Sequence, residues 1–233
     1  MLNELLSAAE RAEACSVIQS TFLTAIWETL YVTIIATFFA VLIGLPLGVI
    51  LVIGEKDGIR PLPAWLMRLL NFIINVLRSI PFLILMILIF PFTRLIMGTV
   101  VGTRASIVPL VMAAFPFVAR ITESSLREVD AGSIEMARSM GSSTWQIITR
   151  VLIPESVPSL IANVTLTLTN ILGYSAMSGI IGGGGLGKIA INYGYYRYKY
   201  LVMFCAVILL ILMVQAFQSA GTALARRCDK RLR

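Results

Sequence analysis

Between Glu28 and Glu55 the chain runs from Thr29 to Gly54 without an Asp, Glu, Lys or Arg. About 20 apolar residues suffice for a helix to cross the hydrocarbon core of a bilayer, so this run alone directs the chain into a membrane. The same test finds Ser156 to Gly187, bounded by Glu155 and Lys188, and Tyr200 to Ala225. Leu69 to Thr93, interrupted only by Arg78, and Ala105 to Ala119 bring the expected spans to five. Barrel strands are short and alternate apolar with polar residues; these runs are long and unbroken, which predicts helices. The chain is 58% hydrophobic and 13% charged, whereas a soluble domain carries about a quarter charged residues. The expected fold is all-α and integral to the membrane, with five transmembrane helices.

Charge sets the expected orientation, because Lys and Arg favour the cytoplasmic side. With the C-terminus inside, the inner segments hold Lys56, Arg60, Arg68, Arg127, Arg138, Arg150, Arg226, Arg227, Lys230, Arg231 and Arg233. The outer segments hold Arg11, Arg94, Arg104, Lys188, Arg197 and Lys199, and Arg78 and Arg120 lie in or near spans. An odd number of spans then puts the N-terminus outside. The net charge of +7 is mostly topological, so the lipid bilayer is an expected partner and nucleic acid is not. Residues 1–20 mix Glu4, Glu10, Arg11 and Glu13 with leucines and lack the basic start and short apolar core of a cleaved signal. They read as an interfacial segment, residues 21–225 as the transmembrane domain, and residues 226–233 as a basic tail near anionic headgroups. Cys15, Cys205 and Cys228 have no motif spacing, and the chain has no histidine. Neither a disulfide, a metal site nor a histidine triad is expected.

One polar island interrupts the apolar runs: Glu135 to Pro154, EMARSMGSSTWQIITRVLIP, within a loop of about 127–155. Asp130 or Ser133 can cap a first helix on which Ile134, Ala137 and Met140 share a face. Gly141 can take the left-handed conformation that ends a helix. Ser143 with Gln146 three residues on makes a capping box for a second helix, along which Trp145, Ile148 and Leu152 recur at helical spacing. Pro154 and Pro158 follow before the next span. On the chosen orientation this helix–turn–helix faces the cytoplasm. Composition alone favours an ordinary amphipathic surface hairpin.

The spacing of Glu135-x-Ala137, Gly141 and Val151-x-Ile153-Pro154 resembles the cytoplasmic loop of ABC-importer permeases. Met136 stands where that pattern has a second alanine, and Val151 and Ile153 where it has Ile and Leu. Further stretches are similar to the methionine-importer branch: Arg78-Ser79-Ile80-Pro81-Phe82, Pro91-Phe92-Thr93-Arg94, Ile107-Val108-Pro109-Leu110, Gly173-Tyr174-Ser175-Ala176-Met177 and Gly183-Gly184-Gly185-Leu186-Gly187. The resemblance covers about Trp27 to Ala225. It implies the ABC-importer permease fold with cytoplasmic coupling helices, in the inner membrane of a bacterium. It implies that Glu135, Met136, Ala137, Gly141 and Pro154 belong to the docking site for an ATP-hydrolysing subunit. Two ATPase copies, a second copy of this chain and an extracytoplasmic substrate-binding protein would be the partners. Methionine, as the D or L form, would be the cargo. The chain itself would be no enzyme: it lacks a Walker motif, so ATP and magnesium would sit on the partner ATPase, with no cofactor in this chain. Gly182 to Gly187 lacks the Lys-Ser/Thr of a phosphate loop.

Other features keep two readings. Pro81, Pro91, Pro109 and Pro116 either kink helices whose freed carbonyls neighbours re-satisfy, or build the broken spans typical of transport pathways. Arg78 either lies deep in the bilayer or snorkels from the end of its span. Gly182 to Gly185 is either a flexible external turn or a tight one that seats a span end. Tyr193, Tyr195, Tyr196, Tyr198 and Tyr200 form either an interfacial aromatic belt or a surface for a binding protein. Tyr174, Ser175, Met177 and Ser178 are packing residues in a lone helix; in a dimeric permease they would line the central path, Met177 as a flexible gate. A permease for another amino acid or small organic solute, and a channel or transporter not driven by ATP, stay open. A membrane enzyme would need ionisable groups gathered within the bilayer, and Arg78 is the one candidate.

Overall fold

A computed structural model describes residues 16–229, which are helical almost throughout, with no strand among them. The interfacial segment expected over residues 1–20 lies mostly outside the described residues, as do Cys15 and the end of the basic tail. Four helical stretches are long and apolar enough to cross a membrane: Ile18–Ile53, Ile107–Arg127, Thr144–Ile181 and Tyr200–Cys228. A fifth is counted if α2 (Ala64–Ser79) and α3 (Phe82–Leu88) make one broken span.

α1 (Leu23–Ile53) continues a π-helical turn at Ile18–Phe22, so the first span starts before Glu28 and contains it. It is apolar on all sides, as a lipid-bathed helix is, and passes through Pro46 without a break. The expected continuous span over Leu69–Thr93 is instead interrupted. α2 stops at Ser79, Ile80 is extended at φ −84° and ψ 125°, and α3 starts after Pro81. The ring of a proline clashes with a helical residue before it, which stops α2 there. α4 (Phe90–Met97) carries Pro91 in its first turn, where a missing N–H costs nothing. It closes on Gly98, whose N–H donates to the Arg94 carbonyl at 2.9 Å. α5 (Ile107–Arg127) takes Pro109 in its first turn and Pro116 inside. α6 (Ala131–Ser139), α7 (Thr144–Ile147) and α8 (Ile153–Ser178) follow, then α9 (Gly185–Ile189) and α10 (Tyr200–Cys228). π-helical turns at Ile148–Leu152 and Ala190–Tyr196 connect α7 to α8 and extend α9.

The chain divides into two compact units, and α1, α5, α8 and α10 contribute to both. In the first, Phe22 of the π-helical turn and Ala25 of α1 pack with Leu186 and Ile189 of α9 and with Val202 and Ala206 of α10. In the second, Val49 meets Leu126, Val129, Ala137, Ile147, Ile148 and Leu152, while Leu51, Ile74 and Ala119 form an adjoining cluster. In the second unit α1 and α5 approach closely at two glycines. A Cβ on Gly44 would lie 2.6 Å from the Val118 Cβ and 2.7 Å from the Phe115 carbonyl oxygen. One on Gly48 would lie 2.6 Å from the Thr122 Cβ and 2.7 Å from the Ala119 carbonyl oxygen. Glycines four apart let two membrane helices touch backbone to backbone, where dispersion rather than the hydrophobic effect drives association. Beside this contact runs a polar seam between α5 and α8. Asn163 donates to the Ile121 carbonyl at 2.8 Å and to Ser125 Oγ at 2.6 Å. Ser156 donates to the Ser125 carbonyl at 3.2 Å.

Candidate functional site

The polar island folds as a short helix, a glycine turn and a second helix start. Asp130 takes the N-cap of α6, its Oδ2 accepting from the Ser133 N–H at 3.0 Å. Of the two candidate caps it is therefore Asp130 that closes the first turn. α6 ends as expected at Gly141, with φ +77°. The Gly141 N–H donates to the Arg138 carbonyl at 2.9 Å, and the Ser142 N–H to the Ala137 carbonyl at 3.1 Å. These bonds satisfy carbonyls that the helix end would otherwise orphan. The capping box also forms: Ser143 Oγ accepts from the Gln146 N–H at 3.3 Å and Gln146 Oε1 accepts from the Ser143 N–H at 2.8 Å.

The second helix differs from expectation in one respect. It does not stop before the next span; α7 winds through the π-helical turn Ile148–Leu152 directly into α8. Pro154 has no N–H for the Arg150 carbonyl four residues back, and Pro158 none for Pro154. A wider turn accommodates this without ending the helix. The glycine turn is thus followed by continuous helix from Thr144 into the span.

The side chains of the island divide by face. Glu135 and Gly141 are exposed. Met136, Met140 and Trp145 are 63%, 79% and 72% exposed. Ala137 is buried and packs inward with Leu126, Val129 and Ile147. Within this chain Ala137 is therefore a packing residue, whose small size lets α6 lie close to its neighbours. Met140 leaves the face of Ile134 and Ala137 because it is the C-cap, beyond the helical turn. Ile148 and Leu152 are buried as their spacing with Trp145 suggests, while Trp145 itself points outward. Pro154 is exposed at the start of α8.

Around this hairpin lies an ionic network that hydropathy does not single out. Arg127 grips Glu55 with both guanidinium nitrogens, Nη1 to Oε2 and Nη2 to Oε1, each at 2.7 Å. Its Nη2 also donates to Glu123 Oε1 at 2.7 Å. Glu123 Oε2 accepts from Arg120 at 2.7 Å, and Arg120 donates on to Asn71 at 2.6 Å and Asn75 at 3.0 Å. Forked Arg–carboxylate pairs are the strong form of this contact. The fork holds the Glu55 carboxyl below the usual carboxylate range, against an opposing push from partial burial. From α6, Arg138 donates to the Gly58 carbonyl at 2.8 Å. The 120, 123, 127 spacing on one helix face was the available sequence signal.

The residues expected to line a path separate as well. Ser175 and Ser178 are buried, and their hydroxyls donate back to the Leu172 and Ser175 carbonyls, both at 2.7 Å. They are satisfied within their own helix and face the first unit's interior. Tyr174 stacks on Phe82, ring centroids 4.8 Å apart and planes 10° apart. Met177, 46% exposed, shares an open face with Gly173 and Ile180. The glycine-rich segment is a tight turn. Glu28 Oε2 accepts from the Gly185 N–H at 2.7 Å, and Thr29 Oγ1 accepts from the Leu186 N–H at 2.9 Å while donating to the Ala25 carbonyl. The carboxylate caps α9, where the helix dipole favours negative charge. Tyr195, Tyr196 and Tyr198 are exposed, and the Arg197 guanidinium lies 5.0 Å over the Tyr193 ring. Arg78 is exposed in the last turn of α2, at the break.

Residues 44–233 match a family described as the binding-protein-dependent transport system inner membrane component. The probable D-methionine transport system permease protein MetI of Vibrio cholerae is 50% identical over 210 residues, covering 90% of this chain and 92% of that one. Its counterpart in Pasteurella multocida is 48% identical over 204 residues, covering 88% and 94%. Among solved structures, an inward-facing conformation of the MetNI methionine ABC transporter matches with a TM-score of 0.88 at 42% identity, covering 91% of this chain and 98% of that chain.

Proposed function

This chain belongs to the family of inner-membrane components of binding-protein-dependent transport systems, and on that premise we propose that it is the membrane-spanning permease of an ATP-driven methionine importer. The observation that carries the reading is the glycine-turn hairpin. It presents Met136, Met140 and Trp145, with Glu135, on a capped and rigid tip that a lone surface loop would have no reason to make apolar. Aromatic and methionine side chains are what protein interfaces enrich. The tip docks an ATPase subunit, one per copy of a homodimer, and those subunits hold ATP and magnesium. An extracytoplasmic binding protein delivers the amino acid.

Closure of the ATPases moves α6, and the continuous α7–α8 helix carries that motion to the membrane. Two copies alternate between inward-open and outward-open arrangements. The path runs along the open face of Gly173, Met177 and Ile180, with Met177 as its flexible constriction. Ser175 and Ser178 stiffen the helix from behind. The 29 residues of α10 span about 43 Å at 1.5 Å per residue, so Arg226 and Arg227 sit at the opposite end from the Tyr193–Tyr200 turn. The basic end faces the cytoplasm, the N-terminus lies outside, and the tyrosine turn lies at the outer interface.

The test is co-purification with the co-expressed ATPase and binding-protein-dependent uptake in proteoliposomes. Gly141→Val places a β-branched residue at φ +77°, which strains the turn. We expect ATPase binding and uptake to be lost together. Uptake that proceeds at full rate without any ATPase sinks the reading. Competition between D- and L-methionine and other amino acids decides the cargo.

A further inference from the structure

We propose that the turn 54–60 is a positioning element for coupling: Arg138 and Arg127 clamp it, so that displacement of α6 reaches α1 and α5 as well as α8. This rests on the docking role of α6 proposed above. The turn folds back on the end of α1, with the Arg60 N–H donating to the Ile53 carbonyl and the Leu62 N–H to the Gly54 carbonyl, each at 3.0 Å. Gly58 sits so close to α1 that a Cβ there would lie 2.5 Å from the Ile53 carbonyl oxygen. Its own carbonyl accepts from Arg138 Nη2 at 2.8 Å, a bond between residues 80 apart in sequence. Glu55, at the start of the same turn, takes both prongs of Arg127 from the end of α5.

Packing joins the same parts. Ile53 and Ile59 lie against the cluster that contains Ala137 of α6, Leu126 of α5 and Ile147 of α7. The turn is thus held from α6 by one charge-assisted bond, from α5 by a forked ion pair, and from beneath by apolar contact. The tie does not end at Arg127. That residue shares Glu123 with Arg120, whose guanidinium reaches Asn71 and Asn75 of α2. Through the turn, the docking helix is therefore tied to α5 and α2 by side-chain bonds and to α1 by backbone bonds.

A positioning role predicts loss of coupling rather than loss of docking. Arg138→Met keeps the apolar stem and removes the donor, at an exposed site where folding is unaffected. Glu55→Gln loosens the fork and leaves Arg127 its second partner. In reconstituted complex, each variant should retain the co-purifying ATPase at wild-type stoichiometry. Substrate taken up per ATP hydrolysed should fall by about three- to tenfold, the scale on which network residues modulate coupling between sites. Arg138→Lys keeps a cation within reach of the carbonyl and should stay within about twofold of wild type. An unchanged ratio in both variants overturns the proposal. So does loss of the ATPase from Arg138→Met, which would make Arg138 a docking residue instead. Failure of the wild-type chain to bind the ATPase strikes the functional reading itself, and is separable from either result.

Discussion

Replacing Gly48 with alanine tests the α1–α5 contact on which the second unit is built. An added Cβ would sit 2.6 Å from the Thr122 Cβ and 2.7 Å from the Ala119 carbonyl oxygen. Ordinary contact begins near 3.4 Å, so the helices must part locally by about 0.8 Å. The carbonyl belongs to the α5 backbone and has no rotamer in which to retreat. Overpacking of this kind costs about 1–3 kcal/mol. Alanine gains about 0.5–1 kcal/mol over glycine in a helix, which offsets part of that. The net expectation is a destabilisation of about 1–2 kcal/mol. For chains of this size each kcal/mol moves the thermal midpoint by about 2–4 °C, so Tm should fall by about 2–8 °C. Gly173→Ala is the control. It offers the same propensity gain, and a Cβ there meets nothing within 4 Å, so Tm should hold or rise. The assay is thermal unfolding of the purified chain in a mild detergent, followed by loss of helical circular dichroism. Gly48→Ala with an unchanged or raised Tm would refute the claim that backbone contact holds α1 to α5.

Three further outcomes are expected. Glu28→Gln keeps the shape of the cap but removes the charge at the start of α9, while Glu28→Ala leaves the Gly185 N–H without its acceptor; the alanine variant should lose about 1–3 kcal/mol in the same unfolding assay, and the glutamine variant less. The Glu55 carboxyl titrates lower folded than unfolded, so its contribution is fully present above the ordinary carboxylate pKa of about 4.3 and is lost as pH falls through the lower folded value; between pH 7 and pH 3 the unfolding midpoint of Glu55→Gln should change less than that of wild type, and parallel curves would count against the fork. Met177→Ala, on the open face, should leave ATPase docking intact while raising basal ATP hydrolysis relative to uptake, measured in proteoliposomes; unchanged uptake and coupling would dismiss the gate.

Much of this molecule was legible in the chain because the deciding physics is local. The spans follow from runs of residues that hydrocarbon accepts, and four of the five lie on single long helices. The hairpin follows from Asp130, Gly141 and the Ser143–Gln146 pair, each acting on backbone three or four residues away. The fifth span shows where hydropathy alone misleads: it ran on through Ile80 and Pro81, while the proline stopped the helix. The facing of side chains was the other gap. Ala137 and Met136 are neighbours of similar polarity, yet one is buried and the other exposed. α6 is a nine-residue helix of mixed polarity, too short for periodicity to separate the face that packs inward from the face left open.

The sequence alone determined that the chain crosses a membrane several times, that one polar loop is a capped hairpin, and which motifs that loop carries, because each of these rests on interactions between near neighbours or with solvent. The tertiary structure decided which residues serve packing and which are free to meet a partner. It turned Ser175 and Ser178 inward, joined Glu28 to Gly185 across 157 positions, and tied Arg120 to Asn71 across 49. Such bonds pair one donor with one acceptor far along the chain, and nothing in the short windows around either residue names the other.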